Sequence, residues 1–273
     1  MTSYEDVINM MNGSTFRDRN LLGYTIVNKL EDGARYKCWV TKESNRYLYK
    51  ENKKHSNGLY TYENYSEYIA MLIGHSVNIK CVDIILCENA VLSRVMTNNE
   101  LHTFTELSEE FSHSFHLSNL ATYNISTLLD KRYNIFYKDV IEMLMFDALI
   151  GNSDRHPGNF MYSDDEFYPL FDNGSSLCAY IEDSSVEDIL RDNMRFESIN
   201  TTKSKPVVRD SSKITHKELL SILKYNFPKE YNNVADKIVI LDDDSILNKI
   251  SMSALRHELL EKFLKYRLEW FKE

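Results

Sequence analysis

The side chains best suited to chemistry lie in one polar island in the second half of the chain. Asp154 and Asn159 are five residues apart, and Asp172 follows 18 residues after Asp154. Two carboxylates and an amide oxygen suit a hard cation such as Mg²⁺, which prefers oxygen ligands and shares them with phosphate. Phosphoryl transfer needs such a cation, a residue that orients the nucleophile and a positive charge on the phosphates. The spacing therefore predicts a phosphate-and-metal site in this island.

Lys50 is the candidate for the positive charge. It ends the third predicted strand, where side-chain alternation places Leu48 and Lys50 on one face and Tyr47 and Tyr49 on the other. We expect the face with Lys50 to point toward the cleft. A single lysine at a strand end is usually solvated, and a single loop Asp is usually a turn former. The prediction of a functional site therefore depends on these residues taken together.

The first part of the chain is predicted to form a small antiparallel sheet with one helix. The runs rich in β-branched and aromatic residues, which we expect to be strands, cover residues 24–30, 35–40, 46–50, 79–86 and 90–95. Helical spacing over residues 62–74 follows the third strand, and Gly74 is placed to terminate that helix. The polar stretch 97–100 is the expected connector. We therefore expect a first lobe over residues 1–98 and a second over residues 99–273.

The second lobe is predicted to be mainly helical. Helical periodicity covers residues 118–129, 137–150, 216–223 and a final segment from about residue 251. The apolar helix over 137–150 leads into loop 151–160, where two Gly and one Pro exclude further helix. Residues 175–212 show little hydrophobic periodicity and are interpreted as an irregular polar segment. The basic stretch 203–229 is interpreted as a solvated face in preference to a docking surface.

Composition excludes several classes of protein. The chain has 273 residues, of which 43% are hydrophobic and 27% charged, and these values exclude fibrous and disordered chains. The formal net charge is −9, and a surface of that sign repels phosphate backbones. We therefore expect no direct binding to nucleic acid.

Other sequence signals bear on location. The N-terminus carries acidic residues where a signal peptide would carry Lys or Arg, and the most apolar stretch, residues 140–150, is too short to span a bilayer. The four cysteines form no C-x-x-C pair, which favours free thiols in a reducing compartment. We expect a cytoplasmic protein that does not bind membranes, and delivery outside the cell by an unconventional route stays open.

The island resembles a known pair of loops. Asp154-x-x-x-x-Asn159, followed by Phe171-Asp172-Asn173-Gly174, resembles the catalytic loop and the metal loop of the protein-kinase-like superfamily. The longer string over residues 147–177 is similar to the HipA/CtkA-like bacterial serine/threonine kinases, and its core also resembles phosphoinositide kinases. The resemblance implies an α/β (α+β), two-lobed protein-kinase-like fold, with a small antiparallel-sheet N-lobe containing one helix and a mainly helical C-lobe.

The resemblance also implies a role for each site residue. Asp154 would be the catalytic carboxylate, and Asn159 and Asp172 would hold Mg²⁺ against the β- and γ-phosphates of ATP. Lys50 would contact the α- and β-phosphates and pair with a helix carboxylate. Glu67 is the expected partner of Lys50, with Glu63, one turn earlier, as the alternative.

The remaining contacts to ATP would come from the backbone. The turn that contains Gly33 would cover the phosphates, and the segment around Val95 and Met96 would bond adenine. Arg155 and His156 are expected to brace the catalytic loop, since Asp154 already fills the role of base.

The function implied by the resemblance is an ATP- and Mg²⁺-dependent serine/threonine protein kinase. Its substrate would be a protein with a Ser or Thr hydroxyl, the chain itself included, and an antitoxin is a possible partner. The alternatives are a small-molecule or lipid kinase on the same fold and a catalytically weak pseudokinase that acts as a binding module. The chain departs from typical protein kinases in two ways: the covering turn has one glycine, and Asn173 stands in place of Phe in the metal loop.

Overall fold

The structure is a computed structural model. It describes residues 16–30, 35–97, 100–103, 125–131, 134–163, 166–207 and 213–272. Gly33 and most of the helix predicted over 118–129 lie outside these ranges.

The first lobe contains a five-stranded antiparallel sheet in the spatial order β1-β2-β3-β5-β4. Its strands are β1 (Thr25–Leu30), β2 (Lys37–Lys42), β3 (Asn45–Glu51), β4 (Ile84–Cys87) and β5 (Ala90–Arg94). β3 lies in the middle of the sheet, and its Lys50 is opposite Lys37 of β2 and Val91 of β5. A short helix, α1 (Phe16–Asn20), which the sequence did not predict, precedes β1.

The two faces of β3 differ as the alternation predicts. Tyr47 and Tyr49 belong to a buried apolar cluster on one face, together with Cys38 and Val40 of β2. The opposite face carries Lys50, which is buried against helix α2 (Glu63–Ser76). The central position of β3 therefore removes the lysine from bulk solvent and directs it toward a helix.

Gly74 does not terminate α2, contrary to the prediction. The helix continues to Ser76, and Gly74 is buried inside it. A Cβ at Gly74 would lie 2.5 Å from Cys81 Sγ and 3.0 Å from the backbone oxygen of Ile79. The glycine is therefore required by the close approach of the segment that leads to β4, and not by the end of the helix.

The second lobe is mainly helical. Its helices are α3 (Ile125–Leu128), α4 (Tyr137–Ile150), α5 (Asp183–Arg191), α6 (Asn193–Asn200), α7 (His216–Asn226), α8 (Pro228–Ile238), α9 (Asp243–Leu247) and α10 (Ala254–Lys272). Two small ribbons accompany them, in which β6 (His102–Thr103) pairs with β7 (Met161–Tyr162) and β8 (Lys203–Val207) pairs with β9 (Lys213–Thr215). None of the helices in the described ranges has the length and apolar character that crossing a bilayer requires.

Helix α4 is the centre of this lobe and leads into the polar island. It is buried almost all round, with ten of its 14 residues inaccessible, and it packs in one core with α2, α7, α8 and α10. It ends at Gly151, whose φ of 72° is left-handed. A Cβ at Gly151 would lie 2.7 Å from Phe263 of α10. Both constraints explain why a glycine begins loop 151–160.

The interpretation of residues 175–212 as irregular is wrong. Over the described part of this segment the chain forms α5, α6 and β8, and Asp192 caps α6 by accepting hydrogen bonds from the N–H groups of Met194 and Arg195. Each of the two helices buries only two side chains. Both helices are short, at nine and eight residues, so the two buried positions in each are too few to reveal a helical period within a polar segment.

Candidate active site

Lys50 lies at the centre of an ion-pair cluster that joins the sheet, α2 and the metal loop. Its Nζ is 2.5 Å from Glu67 Oε1 and 2.7 Å from Asp172 Oδ1. The Lys50 and Glu67 side chains are 6% and 1% exposed, whereas the Asp172 side chain is 29% exposed. The packing of α2 on the sheet thus holds the buried pair, and Asp172 presents a carboxylate toward solvent beside it.

Charge pairing decides the ionisation of this cluster. Burial is the largest single influence on the pKa of Lys50 and lowers it, but Asp172 and Glu67 together outweigh burial and hold this pKa above 10.5. Burial also acts to raise the pKa of Asp172, yet the charges of Lys50, Arg35 and Arg155 hold it well below 3.8. Lys50 and Asp172 are therefore both charged at neutral pH, as phosphate and cation binding require.

Glu63, one turn before Glu67 on α2, has a different partner. Its Oε1 accepts a hydrogen bond from Arg35 Nη1 at 2.6 Å, and its Oε2 accepts one from the backbone N–H of Lys53 at 2.6 Å. The Glu63 side chain is only 2% exposed. Of the two glutamates left open as partners of Lys50, the structure therefore places Glu67 beside it and Glu63 beside Arg35.

Arg155 is the buried link between the catalytic loop and the metal loop. It donates to the Asp147 carboxylate in α4 through Nε and Nη2, at 3.0 and 2.9 Å. Its Nη1 donates to the carbonyl oxygens of Asn159 at 2.7 Å and Phe171 at 2.5 Å, and Nη2 donates to Asn173 Oδ1 at 2.5 Å. One guanidinium thus fixes both loops to α4, which agrees with the bracing role predicted for Arg155.

Asp154 projects from this braced loop. Its N–H donates to Asn152 Oδ1 at 3.0 Å, and its carbonyl oxygen accepts from Asn159 Nδ2 at 2.8 Å. Its carboxylate is 42% exposed and lies 2.8 Å from Lys205 Nζ. The backbone of Asp154 is therefore fixed on both sides, while its side chain is accessible from solvent.

Asn159 and Asp172, the two candidate metal ligands, lie on two loops whose backbones Arg155 holds together. The carbonyl oxygens of Asn159 and Phe171, which precedes Asp172, bond to the same nitrogen of Arg155. The Asn159 amide donates through Nδ2 to the carbonyl oxygen of Asp154, so Oδ1 is the atom of this side chain that can bind a cation. The described residues contain no group of three or more His, Cys, Asp or Glu side chains that could hold a metal. A carboxylate with an amide oxygen fits Mg²⁺, which takes one or two carboxylates together with substrate phosphates.

Val95 and Met96, expected to bond adenine through their backbone, follow β5. The N–H of Val95 donates to the carbonyl oxygen of Arg46 at 2.9 Å, and the N–H of Met96 donates to the Tyr168 hydroxyl at 2.9 Å. Because both donors have protein acceptors, an adenine ring would have to displace one of these acceptors to bond to either N–H. Gly33, the expected phosphate-covering residue, lies outside the described residues.

Sequence reasoning missed two cations at this site. The sequence predicts Arg35 as the start of the second strand and Lys205 as part of the basic stretch 203–229, neither of them as a site residue. Each meets its carboxylate partner across a long stretch of chain, 28 residues for Arg35 with Glu63 and 51 residues for Lys205 with Asp154. Ion pairs of that separation leave no periodic signal in the sequence.

Comparison with known proteins identifies the fold. No family model and no curated protein matches the chain. The crystal structure of the proinflammatory kinase CtkA from Helicobacter pylori is similar, with a TM-score of 0.75 and 20% identity over 90% of this chain and 92% of that one. HipA from Shewanella oneidensis MR-1, solved with HipB and operator DNA, is similar with a TM-score of 0.54 and 13% identity over 99% of this chain and 70% of that one. The chain therefore has a HipA/CtkA-like kinase fold with a sheet-containing N-lobe and a helical C-lobe, which confirms the expected fold class.

Proposed function

We propose that this chain is an ATP- and Mg²⁺-dependent protein kinase that phosphorylates Ser or Thr hydroxyls, its own included. The observation that carries the proposal is the contact of buried Lys50 with Glu67 and Asp172, beside a loop that presents Asp154 and Asn159. A buried cation next to an open carboxylate suits a nucleoside triphosphate with its metal ion. The likeness in fold to a protein described as a proinflammatory kinase supports this class of reaction.

Each residue would have one task in the transfer. Lys50, fixed by Glu67, would bind oxygens of the α- and β-phosphates. Asn159 and Asp172 would hold Mg²⁺, which supplies neutralising charge at the β- and γ-phosphates. Asp154 would orient the attacking hydroxyl and accept its proton, since its exposed carboxylate can come within hydrogen-bond distance of a bound substrate.

Incubation of the chain with ATP labelled at the γ-phosphate tests this proposal. We expect label on Ser or Thr, and we expect Asp154→Asn to lower the transfer rate by orders of magnitude while leaving folding intact. Asp188→Asn is the matched control, because Asp188 is also an exposed carboxylate paired with a basic side chain but lies on α5. This control should transfer at the wild-type rate.

The same experiment separates the alternatives. Label in a small molecule or lipid, with none in any protein, would contradict the protein kinase and favour a small-molecule or lipid kinase. Wild-type protein that binds ATP but transfers no phosphate would contradict the proposal and favour a binding module. As a further check, Asp172→Asn should abolish the Mg²⁺-dependent part of the thermal shift produced by ATP, because the variant loses the metal-binding carboxylate.

An inhibitory protein partner forms a second part of the proposal. The similar HipA structure is that of a toxin–antitoxin system that includes HipB. We expect a comparable partner to copurify with the native chain and to lower its rate of phosphate transfer. A native chain that purifies alone, at its monomer mass and with full activity, would contradict this part.

A further inference from the structure

Lys205 approaches the candidate catalytic carboxylate from outside both loops of the site. Its Nζ lies 2.8 Å from Asp154 Oδ1, although the two residues are 51 positions apart. The Lys205 and Asp154 side chains are 37% and 42% exposed. The pair therefore lies at the solvent side of the site, where an acceptor hydroxyl must meet the γ-phosphate if Asp154 is the base.

The pleat of β8 directs Lys205 to this position. Ser204 and Pro206 are buried, whereas Lys203 and Lys205 point to the opposite, open face of the strand. β8 pairs with β9 on both sides of Lys205, with Lys203 opposite Thr215 and Val207 opposite Lys213, and the register shifts between these two pairs. A lysine in a strand held on both sides has fewer directions open to it than a lysine on a free loop.

The ribbon of β8 and β9 is itself attached to the catalytic loop. His216, which follows β9, bonds through Nε2 to the carbonyl oxygen of Asn152 at 3.0 Å and through Nδ1 to Thr202 Oγ1 at 2.8 Å. Arg267 Nη2 donates to the same Thr202 hydroxyl at 2.6 Å. The Asn152 carbonyl oxygen can only accept, so Nε2 carries the proton. Burial lowers the pKa of His216 to about 3, so the ring is neutral and Nδ1 accepts from the Thr202 hydroxyl.

Thr202, the residue before β8, is thus joined through His216 to Asn152, which lies only two positions before Asp154. This attachment fixes the distance between the strand that carries Lys205 and the loop that carries Asp154. The Lys205 ammonium group has three N–H donors, and Asp154 Oδ1 accepts one of them, so the others can bond to a phosphate.

Lys50 and Arg155, two other cations of the site, are buried among protein groups, whereas Lys205 is partly exposed. Lys50 is bonded to Glu67 and Asp172, and Arg155 is bonded to Asp147 and to three oxygens of the two loops. Transfer spreads negative charge over the three equatorial oxygens of the γ-phosphoryl group, which lie between the attacking and the leaving oxygen. A cation is needed at that point, and Lys205 is the cation paired there with Asp154.

We propose that Lys205 is a catalytic residue that binds the γ-phosphoryl group during transfer; this inference rests on the proposed kinase function. The acceptor oxygen forms a bond to the γ-phosphorus, and the bond from that phosphorus to the β–γ bridging oxygen breaks. The electron pair of the broken bond leaves with ADP, and the hydroxyl proton passes to Asp154. Lys205 stays protonated throughout and donates a hydrogen bond to a γ-phosphoryl oxygen, which strengthens as charge develops there.

The test compares Lys205→Met and Lys205→Arg with the control Lys203→Met. Lys203 lies on the same strand and face but is exposed and two positions from Lys205. We expect Lys205→Met to lower kcat about 100-fold with little change in the KM for ATP, because the contact is made mainly in the transition state. Lys205→Arg should recover part of the rate, and Lys203→Met should keep all of it.

A binding measurement gives a second readout that does not depend on turnover. ADP, Mg²⁺ and aluminium fluoride together imitate the transferring phosphoryl group, and Lys205→Met should lose most of the thermal shift they produce while keeping the shift produced by ADP and Mg²⁺. Equal kcat and equal shifts in wild type and Lys205→Met would overturn the role of Lys205 alone. A faster Lys205→Met would also overturn it, since the contact would then cover Asp154. A wild-type chain without transfer activity would overturn the proposed function itself.

Discussion

Replacement of Arg155 by Met tests how the site is held together. Met has a similar length and keeps the apolar contacts of the side chain but removes every hydrogen bond. The Arg155 side chain is 1% exposed and the Asp147 side chain is 3% exposed, so the variant leaves a buried carboxylate without its cation. The carbonyl oxygens of Asn159 and Phe171 lose the same donor.

The loss in the free energy of unfolding follows from this burial. Removal of one partner from a buried ion pair costs roughly 3–5 kcal/mol, because the other charge remains in a region that solvates it poorly. A domain of ordinary stability has about 5–15 kcal/mol in total. We therefore expect Arg155→Met to lower the free energy of unfolding by about 4 kcal/mol. At about 2–4 °C per kcal/mol for a chain of this size, its melting temperature should fall by about 10 °C.

Urea and thermal unfolding measure this change. Arg195→Met is the control, because Arg195 and its partner Asp188 are 58% and 67% exposed and such pairs contribute about 1 kcal/mol at most. Asp147→Asn introduced together with Arg155→Met removes the stranded charge and should restore part of the loss.

The pH dependence of the stability loss caused by Arg155→Met gives an independent test. Burial already raises the pKa of Asp147 even with Arg155 present, and loss of Arg155 must raise it further. A folded-state pKa above the unfolded value means that the folded chain binds the extra proton, so the loss caused by Arg155→Met should shrink as the pH falls from 7 toward 4. A loss no larger than that of Arg195→Met, or one independent of pH, would refute the assignment of Arg155 as the buried link.

Three further perturbations give separate expectations. Glu67→Gln should lower the affinity for Mg²⁺ and ATP about tenfold or more, because Lys50 loses its buried counter-charge; thermal shifts at increasing ATP concentration measure this. Burial lowers the pKa of His216 to about 3, so on acidification the unfolded chain binds a proton before the folded chain does. The free energy of unfolding should therefore fall by about 2 kcal/mol between pH 6.5 and 5, and His216→Gln should remove this pH dependence. Gly74→Ala should cost about 1–3 kcal/mol in urea unfolding, and Cys81→Ala in the same chain should restore part of it.

Local patterns in the sequence predict the parts of the structure that depend on one segment. The apolar period places α4 over Tyr137–Ile150, and the structure has the same bounds. Alternation along β3 assigns Tyr49 and Lys50 to opposite faces, because a pleated strand permits no other arrangement. Asp154 and Asn159 are only five residues apart, so the sequence also predicts that they share one tight loop.

Contacts between distant segments are not predictable in this way. Glu63 and Glu67 are one helical turn apart on the same side of α2, so their spacing does not decide which of them Lys50 reaches. That choice depends on the position of α2 along the sheet, and Arg35 then takes the other glutamate. The hydrogen bond from Met96 to Tyr168 is of the same kind, because the two residues lie in different lobes.

The polar groups of Asn173 explain why the metal loop of this chain is held in one position. Its N–H donates to Glu67 Oε2 at 2.7 Å, its Oδ1 accepts from Arg155 at 2.5 Å, and its carbonyl oxygen accepts from Ser176 Oγ at 2.6 Å. An apolar side chain at this position would need only an apolar pocket and could exchange one pocket for another. Asn173 would have to break three hydrogen bonds in a site that is 2% exposed, and each buried group left unpaired costs about 1–3 kcal/mol. Control of the site by movement of Asn173 is therefore unfavourable, whereas the half-exposed contact of Lys205 with Asp154 can open at little cost.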